Sequence, residues 1–188
     1  MAHVALFHSV LGLRSAELAA AERLRRAGHE VLAPDLFGGR TAATLDQGFR
    51  IADQVGWTTV VERARQALQA MPDRTVLAGL SMGAGVVGAV WPERPDAAGV
   101  LLLHAPAEIP ASVRPGLRVQ LHAAEPDPFA PPEQVAALRR SARTAGAELE
   151  IFRYPGVGHF YTDPDLPDHD SDASELTWSR VLDFLPSA

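Results

Sequence analysis

The chain has 188 residues, 47% of them hydrophobic and 21% charged, the ordinary balance of a soluble globular domain able to bury a full core. It contains no cysteine, which excludes disulfides, thiolate metal sites and a cysteine nucleophile. A net charge of −6, with no apolar run near the ~20 residues that span a bilayer, argues against nucleic-acid and membrane partners.

The N-terminal His3-Val4-Ala5-Leu6-Phe7 enters a strand with no charged leader or cleavage site, so the expected location is the cytoplasm. Further short apolar runs predict strands over Val31–Ala33, Val76–Leu80, Val100–His104, Val119–Ala123 and Leu149–Tyr154. Helical patterns lie near Ser15–Ala27, Trp57–Met71, Gly83–Trp91, Pro132–Ala145 and Asp172–Leu185. Gly28 and Gly146 stand just past two of them, where a glycine ends a helix without strain. This βαβα rhythm predicts an α/β fold, a doubly wound and mostly parallel sheet of about six strands flanked by helices. Val100–Leu103 reads as a central strand, whereas the alternating Leu149-Glu150-Ile151 suits the sheet edge. With no repeat or low-complexity linker, residues 1–188 are expected to form a single domain.

Between the third strand and the next helix lies Gly79-Leu80-Ser81-Met82-Gly83, a G-x-S-x-G pattern. At this composition chance gives roughly 0.06 such matches before the strand–turn–helix context is required. The turn is tight enough to need small residues on either side of the serine, and it lifts the hydroxyl above the sheet. It also puts the Met82 N–H at a helix N-terminus, where developing negative charge is favoured.

A serine hydroxyl needs a base to take its proton and a third group to orient that base. The histidines at 3, 8, 29, 104 and 122 lie in or beside predicted strands, or before the serine, and read as core or surface residues. His159 follows the last strand in a loop shaped by Pro155, Gly156 and Gly158, which lets an imidazole swing over the sheet edge. His169 sits between Asp168 and Asp170 and reads as a solvated loop residue. After Val119–Ala123, both Glu125 and Asp127 qualify as the orienting acid, and the prolines flanking Asp127 favour it. The acidic stretch from Asp163 to Asp172 fits no calcium-loop spacing; a solvated loop and a helix cap through Ser171 or Asp172 account for it. No glycine-rich phosphate motif is present.

The segments Ala33–Gly39, Gly79–Gly83, Glu125–Phe129 and Tyr154–Phe160 resemble, in order and spacing, the dienelactone hydrolase family of α/β-hydrolases. The resemblance implies a minimal α/β-hydrolase fold without a large lid. It places the nucleophile at Ser81, the aspartate at Asp127, the histidine at His159, and a second oxyanion donor at the backbone N–H of Val10 beside that of Met82. Three positions depart from the name-giving enzymes. Serine replaces their cysteine, Ser9 stands where they carry a glutamate, and Asp163 stands where an arginine holds the substrate carboxylate. Asp163 would repel an anionic substrate, so a neutral or weakly polar small ester is expected. Phe37, Phe129, Phe160 and Tyr161 are candidate pocket walls. The expectation is a serine-dependent carboxylic ester hydrolase without cofactor or metal, acting on a small-molecule ester as a monomer or small homo-oligomer. A thioesterase, a lactone hydrolase or a non-catalytic ligand-binding member of the fold are the alternatives.

Overall fold

A computed structural model describes residues 1–186. The apolar runs pair into one sheet of six strands: β1 (His3–Phe7), β2 (Glu30–Leu32), β3 (Val76–Leu80), β4 (Gly99–Leu103), β5 (Arg118–Glu125) and β6 (Glu148–Pro155). Their order is β2-β1-β3-β4-β5-β6 and every neighbouring pair is parallel. Helices α1 (Ser15–Arg26), α2 (Leu45–Val55), α3 (Trp57–Gln69), α4 (Met82–Val90), α5 (Pro132–Ala145) and α6 (Ser171–Phe184) connect and cover it. None of these helices is long and apolar enough to cross a membrane.

Period-two alternation along the strands divides the core between the two faces. Ala5, Leu77, Val100 and Leu102 pack with Val61 and Leu68 of α3, Val87 of α4 and Leu138 of α5. Val4, Leu6, Val76, Leu101 and Leu103 pack with Leu24 of α1 and with Trp178 and Val181 of α6. Such strands must be apolar on both sides, and all five residues of β3 and of β4 are buried. β6 lies at the edge and alternates in burial over its first four residues, which include the alternating Leu149-Glu150-Ile151.

The chain runs from β1 out to β2 and then returns to the other side of β1 for β3. That reversal leaves a crevice beyond the carboxyl ends of β1 and β3, the usual ligand position in an open parallel sheet. The loops after Phe7 and Leu80 both open there.

Three local features differ from the sequence reading. Helix α2 is additional: Gly48 in its first turn and the following Gly56 break the helical pattern. Thr44 nevertheless caps it by accepting the Gln47 N–H at 3.3 Å. Gly48 is there for packing, since a Cβ at this position would stand 2.5 Å from the Val10 carbonyl oxygen. The cap of α6 is Asp170, which accepts the Ala173 N–H at 2.9 Å, rather than Ser171 or Asp172. Finally, α4 gives way after Val90 to a 3-10 turn over Trp91–Glu93, because Pro92 cannot donate a helical hydrogen bond.

Candidate active site

Ser81 alone joins β3 to α4, with φ 54° and ψ −110°, a conformation that few non-glycine residues adopt. Its N–H donates to the Leu103 carbonyl at 2.7 Å and its carbonyl accepts the Ala84 N–H at 2.8 Å, so the strained turn is anchored on both sides. The flanking glycines follow from steric crowding. A Cβ on Gly79 would lie 2.2 Å from the Gly83 carbonyl oxygen, and one on Gly83 would lie 2.2 Å from that of Phe7. The G-x-S-x-G pattern is thus the imprint of backbone packed directly on backbone.

Ser81, Asp127 and His159 are all buried, although they come from three separate loops. Ser81 Oγ is 2.8 Å from His159 Nε2, and His159 Nδ1 is 2.8 Å from Asp127 Oδ2. An ionised carboxylate only accepts, so Nδ1 carries the proton and Nε2 is left to accept from the serine hydroxyl. Asp127 is held in turn by the Phe129 N–H, which donates to its Oδ1 at 2.9 Å. Glu125, the other candidate acid, lies 4.0 Å from Arg153 Nε and does not reach His159. The His159 ring packs against Phe129 and Phe160, each with its centroid 4.5 Å away. Asp168 fixes the backbone beside it by accepting the Phe160 N–H at 3.0 Å. Its carboxylate occupies the space over Gly158, where a Cβ would come within 2.5 Å of Asp168 Cγ.

The loop after β1 is tied down just as closely. His8 Nε2 accepts the Leu36 N–H at 3.0 Å, so its Nδ1 bears the proton and donates to the Ser9 carbonyl at 2.7 Å. Burial pushes the pKa of this imidazole down, with the Ser9 carbonyl and the Glu17 and Asp35 carboxylates opposing. Ser9 Oγ donates to the buried Glu17 Oε1 at 2.6 Å and accepts the Leu11 N–H at 3.2 Å. Val10, pressed by Gly48, lies on the wall of the same cleft as Ser81 and Met82. Among the described residues, no protein acceptor takes the N–H of Val10 or of Met82.

That cleft has a volume of about 330 Å³. Leu45 and Phe49 of α2, Trp57 of α3 and Phe129 form much of its wall, and none of its lining residues is ionisable. Phe49 and Trp57 remain 45% and 50% exposed, and Phe49 stacks on Phe129 with centroids 6.4 Å apart.

Phe129 is the one candidate pocket aromatic that lines the cleft. Phe37 lies in the core, its ring at the edge of His8. Phe160 packs with Leu11 and Ala42 beneath the loops. Tyr161 is fully buried and shares a 2.9 Å hydrogen bond with Thr177 of α6. These three lie in or beside the functional loops in sequence, but their side chains turn inward. The expected repulsion by Asp163 also needs correction, because its carboxylate is buried and salt-bridged to Arg14, away from the cleft. Leu45, Phe49 and Trp57 are the large apolar lining residues that sequence reasoning missed. No sequence signal pointed to Leu45 or Phe49, because the helix that carries them is masked by Gly48; Trp57 stood at the start of a predicted helix. Among the described residues, no cluster of three or more acidic or histidine side chains is arranged to hold a metal ion.

A sequence model of the dienelactone hydrolase family matches residues 2–188. The chain belongs to this family. As a family member it shares the α/β-hydrolase fold with a dienelactone hydrolase-like promiscuous phosphotriesterase from metagenomic libraries, at 20% identity and a TM-score of 0.74. That alignment covers 97% of this chain and 84% of the other. The structure of the metagenome-derived lipolytic enzymes LipS and LipT aligns at 20% identity and a TM-score of 0.70, over 97% of this chain and 92% of theirs. A Yersinia pestis protein named "Putative carboxymethylenebutenolidase" is 30% identical over 59 residues, which are 31% of this chain and 22% of that protein.

Proposed function

We propose that this family member hydrolyses small, uncharged carboxylic esters through a serine-bound acyl intermediate. One observation carries the reading: the hydrogen-bonded series Ser81–His159–Asp127 stands beside a cleft whose lining residues bear no charge. Ser81 Oγ attacks the carbonyl carbon of the ester and passes its proton to His159 Nε2. Asp127 holds the Nδ1–H tautomer and stabilises the imidazolium that forms. The Val10 and Met82 N–H groups meet the negative charge developing on the carbonyl oxygen. Removing one such donor typically costs about 3–4 kcal/mol of transition-state stabilisation. The tetrahedral adduct collapses with cleavage of the ester C–O bond, leaving the acyl group on Ser81, and His159 protonates the departing alkoxide. A water molecule then attacks the acyl carbon, giving its proton to His159. Release of the acid returns that proton to Ser81.

The lining also supports the choice of substrate. With no cation in the cleft, a carboxylate on the substrate would lose its hydration without gaining a partner. Leu45, Phe49, Trp57 and Phe129 offer apolar contact to an acyl or aryl group.

The test is turnover of a panel of p-nitrophenyl and acyl-thioester substrates by the wild type and Ser81→Ala. Wild-type turnover of short neutral esters is expected, with a loss of about 10⁴-fold or more in the variant and an unchanged melting temperature. Retained turnover in a folded Ser81→Ala protein contradicts the reading.

A further inference from the structure

The loop that carries His159 rests on a side chain outside the hydrogen-bonded series. His104 directly follows β4, is buried, and has a φ of +73°, unusual for a residue with a Cβ. Its backbone is fixed there by the N–H, which donates to the His122 carbonyl at 2.6 Å. Its ring then meets four consecutive residues of the loop. It stands at 64° to the His159 ring with centroids 5.6 Å apart, and at 73° to Tyr161 with centroids 5.1 Å apart. Phe160 is tilted against it at 6.1 Å, and Nε2 shares a 2.9 Å hydrogen bond with Thr162 Oγ1.

We propose that His104 is a positioning residue: its ring contact with His159 and its bond to Thr162 set the imidazole of His159 between Ser81 and Asp127. This role rests on the proposed function of the same site. Two features of the side chain serve it together. A flat ring fits edge-on among three aromatic neighbours, and a ring nitrogen reaches Thr162. Phenylalanine would keep the ring and lose the bond, whereas glutamine would keep a polar group and lose the ring. The side chain must also stay uncharged, since a cation here would oppose the imidazolium forming at His159. Burial keeps its pKa well below the ordinary histidine value, His159 and His122 lower it further, and the backbone of His159 opposes. The other side of the loop is held by Asp168 through the Phe160 N–H, so His104 acts on a segment with few remaining ways to move.

The experiment compares His104→Phe, His104→Gln and the near-isosteric Thr162→Val by kcat, KM and ¹⁵N-histidine NMR. Displacing a reacting group by an ångström can cost about 100-fold in rate. On that scale kcat is expected to fall about 10- to 100-fold in His104→Phe and His104→Gln, which each lose one of the two features, and about tenfold in Thr162→Val, with KM within about twofold. The slowly exchanging Nδ1–H signal of His159 is expected to weaken or broaden in the same variants. Variants that melt like the wild type while keeping kcat, or keeping the His159 signal intact, overturn the proposal. Should the wild type hydrolyse no ester at all, the functional reading fails, and the NMR signal alone decides the positioning role.

Discussion

His122 and His159 are both buried imidazoles near the same end of the sheet, yet their surroundings give them opposite capacities. His122 donates through Nε2 to Gln120 Oε1 at 3.0 Å and accepts the Tyr154 hydroxyl at Nδ1, also at 3.0 Å. Tyr154 in turn accepts from Arg180 at 3.1 Å and Gln120 donates from Nε2 to Glu150 at 2.9 Å, so both direct partners of His122 are neutral and the charges stand one bond further out. Burial, aided by Arg180, lowers the His122 pKa to about 3. His159 instead donates to an acidic side chain on one nitrogen and meets a hydroxyl at the other. The contrast teaches that burial alone makes an imidazole inert. A buried imidazole can accept a proton in mid-reaction when an anion faces its far nitrogen.

The sharpest way to break this comparison is to remove the anion. Asp127→Asn keeps the shape of the side chain but leaves His159 with a neutral partner, as His122 has. In a folded variant kcat is expected to drop about 10³- to 10⁴-fold. A change below tenfold would show that the carboxylate does not distinguish the two rings.

A second change tests whether the rim is held by steric packing as well as by charge. Gly83→Ala places a Cβ against the Phe7 carbonyl, a backbone atom that cannot turn aside. The expected loss is about 3 kcal/mol or more in chemical denaturation, or failure to fold. An alanine variant of wild-type stability would mean that the elbow is looser than these contacts imply.

The smallest effect is a pH dependence of stability. Because the folded His122 pKa lies below its unfolded value near 6.5, the unfolded chain binds more protons as pH falls between the two. Stability is therefore full above about pH 6.5 and is lost progressively towards pH 3. His122 contributes a loss of about 2 kcal/mol between pH 7 and pH 5. His8 and His104 are shifted in the same direction and add to it. Denaturation of the wild type and His122→Asn at both pH values checks this; equal losses in the two proteins would remove His122 from the account.

Much of the arrangement is legible in the sequence because its constraints are local. Gly79 and Gly83 mark the elbow, since the backbone of one sits on the other. Pro155, Gly156 and Gly158 mark the loop at His159. The strand runs are continuous because the sheet is covered on both faces. What the sequence hides is decided by contacts between distant segments. Helix α2 is masked by Gly48, which is a glycine because the Val10 carbonyl presses on it. Asp163 looks like a bare acid until Arg14, 149 positions away, is seen to pair with it. Phe37, Phe160 and Tyr161 have the right neighbours in sequence, but the direction of a side chain leaving a loop depends on what packs beneath it.

The central claim is that Ser81 is a nucleophile made reactive by His159 and Asp127. A fluorophosphonate probe followed by peptide mass mapping tests it most directly. The account predicts one covalent adduct, on Ser81, abolished by Ser81→Ala and strongly slowed by Asp127→Asn. A folded wild-type protein that takes no label at Ser81, or labels equally fast without the carboxylate, would contradict it.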